Sequence, residues 1–192
     1  MCFEIEDNVL NKYTGEEEKV VIPEGIEAIG GVAFSDCLSV KEVVIPDSVK
    51  SIGSYAFNNS GLHSIVIPDS VQELGRKAFE DCTNLEKVVI GNGVKRLPES
   101  CFHCCYHLDH LELPLGLETL GYRPFEDCYA LRTAWVNGFE YRLRDEDAPK
   151  PVKLVFESLE SIRKSILYDY NNGLMDEFEY IDYEIAGDGY TY

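Results

Sequence analysis

Aliphatic and polar positions between residues 22 and 135 recur with a period of 22 or 23. Ile-Pro stands at Ile22-Pro23, Ile45-Pro46 and Ile67-Pro68, Leu-Pro at Leu113-Pro114, and Ile90-Gly91 fills the gap, so five units run from Ile22 to Trp135. With the first residue of each pair as position zero, aliphatics follow at +4 (Ile26, Val49, Val71, Val94, Leu117) and +7 (Ile29, Ile52, Leu74, Leu97, Leu120). Position +8 holds the turn residue Gly30, Gly53, Gly75, Pro98 or Gly121, and +11 a small one, Ala33, Ala56, Ala78, Cys101 or Pro124. At +12 every unit has a ring: Phe34, Phe57, Phe79, Phe102 and Phe125. Position +15 is Cys37, Ser60, Cys82, Cys105 and Cys128. Each unit closes on Val40, Leu62, Leu85, Leu108 or Leu131, then on Val43, Ile65, Val88, Leu111 or Ala134; the second unit is one residue short.

A unit of this size cannot bury its apolar face alone, whereas stacked copies share one continuous core. The closing segment, such as Lys41–Ile45, is rich in β-branched residues and ends at a proline, which predicts a short strand. Parallel strands about 4.8 Å apart would place six rungs along roughly 25–30 Å. The pattern predicts a narrow α/β repeat solenoid.

The string Ile-Pro-x-x-Val-x-x-Ile-Gly-x-x-Ala-Phe-x-x-Cys-x-x-Leu-x-x-Val resembles the BspA-like (Treponema pallidum type) leucine-rich repeat over residues 22–135. The segment Phe3–Tyr13 resembles the N-terminal hairpin that opens many such arrays, with Asp7-Asn8 as its turn. The resemblance implies a right-handed leucine-rich-repeat superhelix used as a recognition scaffold, commonly on bacterial or protist cell surfaces. It implies no catalytic residues. The expected organisation is an N-terminal hairpin cap over 1–21, five repeats over 22–135 and a C-terminal α/β cap over 136–192.

The period fails after Trp135. Asn137-Gly138 offers a hairpin turn, 144–151 reads as a charged, proline-bearing loop, and Val152–Phe156 as a strand. Leu159, Ile162, Ile166, Leu167 and Tyr170 follow helical spacing up to Gly173, and Leu174, Phe178, Ile181 and Ile185 form a weaker second stripe. After Lys164 there are seven carboxylates, six tyrosines and no basic residue. This part is expected to close the open end of the stack; the rival expectation is an acidic, aromatic tail that docks a partner.

Charge restricts the partners. With 17 Lys plus Arg against 35 Asp plus Glu, the 192 residues carry a formal net charge of −18, acidic on both sides of Trp135. Such a field repels phosphate backbones and anionic membrane surfaces, so neither nucleic acid nor membrane is an expected partner. Carboxylates at Glu4, Glu6 and Asp7 arrive where a secretory signal would need an apolar run. With Met1 as the native start the expected location is cytoplasmic; with a leader removed it is the cell surface or outside the cell.

Candidate chemistry concentrates in Cys101-Phe-His103-Cys104-Cys105-Tyr-His107-Leu-Asp109-His110. Its Cys-x-x-Cys spacing suits zinc, but the register assigns Cys101 and Cys105 to the interior. Cys37, Cys82, Cys105 and Cys128 share one repeat position, so they are expected to stack inward as small, unpaired thiols, consistent with an odd total of seven cysteines. His103, Cys104, His107 and His110 are left outward over a turn and a strand, so neither metal nor other cofactor is expected, and a site at Cys104 and His107 is the weakest rival. Nucleophile, base and oxyanion donors do not converge on Cys104, no calcium loop fits Gly173, and no phosphate loop is present. No enzyme is expected.

What remains is surface. If Val43 and Ile45 point inward, alternation sends Val21, Val44, Val66, Val89, Glu112 and Trp135 to the outer sheet face in one column. Beside it runs Glu42, Ser64, Lys87, His110 and Thr133. Aligned valines ending in the single Trp form a larger apolar stripe than a monomer usually shows to water, and Trp is favoured at binding hot spots. The expected function is therefore non-enzymatic binding of a protein or peptide through Val44, Val66, Val89, Glu112, Trp135, Lys87 and His110. The alternative is a scaffold that displays the acidic C-terminal region.

Overall fold

A computed structural model describes residues 2–114, 116–131, 133–136 and 139–142. The loop, strand and helical stripes expected beyond residue 142, and with them the α/β character of the C-terminal cap, lie outside the described residues. Within them the chain is a parallel β-solenoid rather than the expected α/β one: no helix occurs among the described residues, because the stretch between the two strand sides of each coil is spent on a turn.

The hairpin forms first, from β1 (Phe3–Glu6) and β2 (Val9–Tyr13), paired antiparallel. Asp7 and Asn8 turn it with φ of 50° and 62°, the two positive values a tight primed hairpin turn demands. The coils follow: β3 (Lys19–Val21), β4 (Ala28–Ile29), β5 (Glu42–Val44), β6 (Ser51–Ile52), β7 (Ser64–Ile67), β8 (Glu73–Leu74), β9 (Lys87–Ile90), β10 (Arg96–Leu97), β11 (His110–Leu113), β12 (Thr119–Leu120) and β13 (Thr133–Val136). Strand β14 (Phe139–Arg142) pairs antiparallel with β13 and forms the edge of the main sheet; the expected Asn137-Gly138 turn lies outside the described residues.

Two sides of each coil are strands. Strands β3, β5, β7, β9, β11 and β13 run parallel in one seven-stranded sheet that β14 completes. The short strands at +6 and +7 make a second side, where β2 itself starts the sheet β1-β2-β4-β6-β8 and β10-β12 continue as a pair. Leu10 pairs with Ile29, the Tyr13 ring stacks 5.2 Å from Phe34, and Val20 pairs with Val43. The N-terminal segment is thus an incomplete coil in register with the five that follow.

The third side is a turn built on two residues of positive φ. Position +10 (Val32, Tyr55, Lys77, Ser100, Arg123) and position +14 (Asp36, Asn59, Asp81, Cys104, Asp127) all lie between 46° and 62°. This conformation aims their N–H groups along the stack. Asp36 N donates to Asn58 O, Asn59 N to Glu80 O, Asp81 N to His103 O and Cys104 N to Glu126 O, each at 2.9 Å. The turn side is therefore hydrogen-bonded from coil to coil like a sheet, which satisfies backbone groups that a loop would otherwise bury unpaired.

Between the sides runs the core. The five Phe rings stack at centroid separations of 4.9, 5.1, 5.1 and 5.6 Å and within 9° of parallel, and Tyr13 and Phe3 extend the spine at the N-terminal end. Cys82, Cys105 and Cys128 are buried beside it, and their thiols donate to the carbonyls of Phe57, Phe79 and Phe102 in the preceding coil at 3.0, 3.2 and 3.1 Å. The thiol at +15 is thus a small donor rather than inert filler. Cys37 is only partly buried and lies 4.0 Å from Tyr13 O, because the coil below it is the incomplete one.

The glycines at +8 owe their place to close approach. A Cβ on Gly75 would stand 2.2 Å from Ser54 N, since successive coils touch backbone to backbone there. Gly61 marks the missing residue of the second unit, and a Cβ on it would meet Leu38 O at 2.1 Å.

Candidate functional site

The main sheet places the expected columns in register. Val21 pairs with Val44, Val66 with Val89, Val89 with Glu112 and Glu112 with Trp135. The neighbouring column pairs Lys19 with Glu42, Glu42 with Ser64, Ser64 with Lys87, Lys87 with His110 and His110 with Thr133. Their inward alternates Val20, Val43, Ile65, Val88, Leu111 and Ala134 are all buried.

Exposure divides the outer column in two. Val21, Val44 and Val66 are 60%, 39% and 59% exposed, an apolar stripe across three rungs. Val89, Glu112 and Trp135 are half-buried, and side-chain contacts tie Glu112 and Trp135 to their neighbours. His110 Nε2 donates to Glu112 Oε1 at 3.0 Å, Lys87 Nζ lies 3.8 Å from the same oxygen, and the Trp135 ring sits 5.8 Å from the His110 ring. Lys19 and Glu42 pair at 2.7 Å at the other end. The face is therefore an apolar stripe that runs into a polar and aromatic end, with its charges mostly internally paired.

The cysteine and histidine constellation resolves differently from its expected layout. Cys104, expected outward, is buried to 9% relative exposure, because its side chain turns against the next coil, where Asp127 occupies the equivalent position. His107 is turned elsewhere and donates through Nδ1 to Thr83 O at 2.5 Å, so it does not pair with Cys104 as a ligand. Among the described residues, His103, Cys104 and Asp127 form the cluster whose donor atoms all lie within 4.8 Å of one another. Sequence reasoning missed Asp127; its place at +14, directly after Cys104 in the turn column, was the signal that could have found it.

Around this cluster the ridge is charged and well bonded. Glu80, 7% exposed, accepts from Lys77 Nζ at 2.6 Å and from His103 Nδ1 at 3.1 Å. Burial raises its pKa, but these two partners outweigh that and leave it below the usual carboxylate range. Arg123 bonds Glu126, and Tyr129 Oη donates to Asp127 Oδ1 at 2.6 Å. Tyr106 stacks on Tyr129 at 5.7 Å, and its hydrogen bond with Cys104 pushes its hydroxyl up to about 12. Burial pushes the Cys104, Cys101 and Cys105 thiols up, and Cys82 up to about 11. A nucleophilic thiol needs the opposite shift.

Parallel rungs of 22 or 23 residues, a Phe spine and turns bonded from coil to coil define a leucine-rich-repeat solenoid. The BspA type leucine rich repeat region matches in six copies over residues 4–132, and the chain belongs to that family. The match begins within the N-terminal hairpin, in keeping with the incomplete coil there. A leucine-rich repeat protein from Eubacterium ventriosum is similar in structure, with a TM-score of 0.64, 26% identity, and 67% of this chain and 36% of that chain covered. The pneumococcal vaccine antigen PcpA follows at a TM-score of 0.53 and 23% identity over 63% of this chain and 31% of that one. A Bacteroides ovatus leucine-rich repeat protein gives 0.51 and 24% over 68% and 42%. The last two likenesses concern the fold alone. The chain covers less than half the length of each of these three. No curated protein matches it. Among the described residues no helix is long and apolar enough to cross a membrane.

Proposed function

We propose that the chain is a non-enzymatic module that binds a protein or peptide on the outer face of the seven-stranded sheet. The observation that carries this is the exposed stripe Val21, Val44 and Val66, continuous through Val89 with the His110, Glu112 and Trp135 end. Apolar area of this kind, next to a partly buried Trp and polar groups already held in place, offers burial with little ordering cost. Membership of a repeat family that generally serves as a protein-binding scaffold supports the reading. The charge of −18 argues against nucleic acid and anionic lipid as the partner. Right-handed coiling and an α/β C-terminal cap belong to the same reading.

The test is affinity purification from the native cell with the wild-type chain, Val66→Glu, Trp135→Ala and a deletion of residues 174–192. A partner retained by the deletion and lost by both substitutions is the expected result. Capture unchanged by the substitutions overturns the sheet face as the site, and loss on the deletion alone moves binding to the acidic tail.

A further inference from the structure

The geometry points to a site for a zinc-like divalent transition metal on the turn ridge, with His103 Nε2, Cys104 Sγ and Asp127 Oδ2 as its three protein ligands.

The distances fit the ion. Sγ of Cys104 lies 3.4 Å from His103 Nε2 and 3.9 Å from Asp127 Oδ2, and the last two atoms are 3.7 Å apart. Tetrahedral bonds of about 2.3 Å to sulfur, about 2.05 Å to nitrogen and about 2.0 Å to oxygen require ligand separations of about 3.6, 3.5 and 3.3 Å for the same pairs. Shifts of a few tenths of an ångström bring the set onto the metal. Thiolate, imidazole and carboxylate together suit zinc or cobalt better than the all-oxygen sites of magnesium or calcium. Three protein ligands leave the fourth vertex to solvent.

The supporting contacts are those a metal site uses. His103 donates Nδ1–H to the buried Glu80, so Nε2 keeps its lone pair and faces Cys104. This is a carboxylate–histidine arrangement that orients a ligating ring. Lys77 Nζ donates to the same Glu80 oxygen, Oε1, and Tyr129 occupies Oδ1 of Asp127, which leaves Oδ2 toward the thiol. Cys104 N donates to Glu126 O at 2.9 Å, so the bond that stacks two coils also fixes the spacing between ligands on them. Glu126 Oε2, 3.9 Å from His103 Nε2, adds negative charge that favours a dication. Binding replaces the proton of the Cys104 thiol, which passes to solvent.

The experiment uses the full chain, treated with chelator and titrated with Co2+ alone. One equivalent should bind with a thiolate-to-cobalt charge-transfer band and the visible bands of a four-coordinate ion, both bleached by Zn2+. Cys104→Ser should abolish the charge-transfer band, and His103→Ala and Asp127→Asn should each weaken binding. Cys104→Asn is a second variant that keeps the fold, since Asn59 occupies the same positive-φ position two coils earlier. Glu80→Gln tests the positioning residue: the band should persist while affinity falls about 10–100-fold. Cys2→Ser should change nothing. The proposal is overturned if no band forms, if the band survives both Cys104 variants, or if it is lost with Cys2→Ser.

Discussion

Positions +12 and +14 lie two residues apart in every coil, yet they follow opposite rules. At +12 all five units carry Phe; at +14 they carry Asp36, Asn59, Asp81, Cys104 and Asp127, and between them Ser35, Asn58, Glu80, His103 and Glu126. The difference lies in what each neighbourhood demands. An interior ring at +12, such as Phe79, is sandwiched between identical rings about 5 Å away and must match them in shape. A residue at +14 has only to accept a positive φ, which Asp and Asn do most readily among residues with a Cβ. Uniformity therefore marks the core, and departure from the column marks where chemistry can be placed. Cys104 is that departure.

The contrast breaks most visibly at the spine. Phe79→Ala removes a fully buried ring with a stacked partner on each side and should cost about 3–5 kcal/mol in urea unfolding. Because coils are stabilised chiefly by their neighbours, the loss should weaken the whole array. A loss below about 1 kcal/mol would mean that the rings do not form one packed column. Next is Gly61→Ala, whose methyl would collide with Leu38 O; it should cost about 1–3 kcal/mol by the same measurement, and a neutral result would show that the short coil has slack.

The buried thiols of the core give a pH signature of their own. Cys82 is raised from its ordinary 9.0 to about 11, so its proton is held more tightly in the folded than in the unfolded chain. Its contribution is complete below pH 9 and is lost as the pH rises through 11, at about 1.4 kcal/mol per pH unit for each such thiol. Thermal unfolding between pH 8 and 11 should show a falling midpoint, and Cys82→Ala should flatten that fall. The smallest effect expected is a gain. Val32, a β-branched residue 56% exposed, sits at φ 59°, and Val32→Asn should stabilise by about 1 kcal/mol. A loss there would show that the Val32 side chain contributes packing its exposure hides.

Much of the architecture was legible because the period aligns residues without knowledge of the coil. Once Ile22, Ile45, Ile67, Ile90 and Leu113 are equated, the buried column Val43 to Ala134 and the outer column Val21 to Trp135 follow from alternation, and both stand in the structure as expected. The hairpin at Asp7-Asn8 was legible from its own turn chemistry. Less was legible on the turn side. Nothing in the identities of Val32, Tyr55, Lys77, Ser100 and Arg123 announces a shared positive φ; the first four donate their N–H groups to carbonyls of the next coil, a contact that lies outside the unit itself. Nor does the outer column announce that Val66 is open while Val89 is half-covered.

The sequence by itself determined the period, the register and the composition of every column, since a repeat fixes which residues must lie above one another. Only the tertiary structure decided what meets across a column. The period stacks Cys104 and Asp127 at +14, whereas the turn of the His103 side chain from +13 toward both of them is set by the fold. The physical reason is that stacking sets the rise between coils at the spacing of hydrogen-bonded strands, while side-chain direction within a turn depends on dihedral angles that residue identity leaves open.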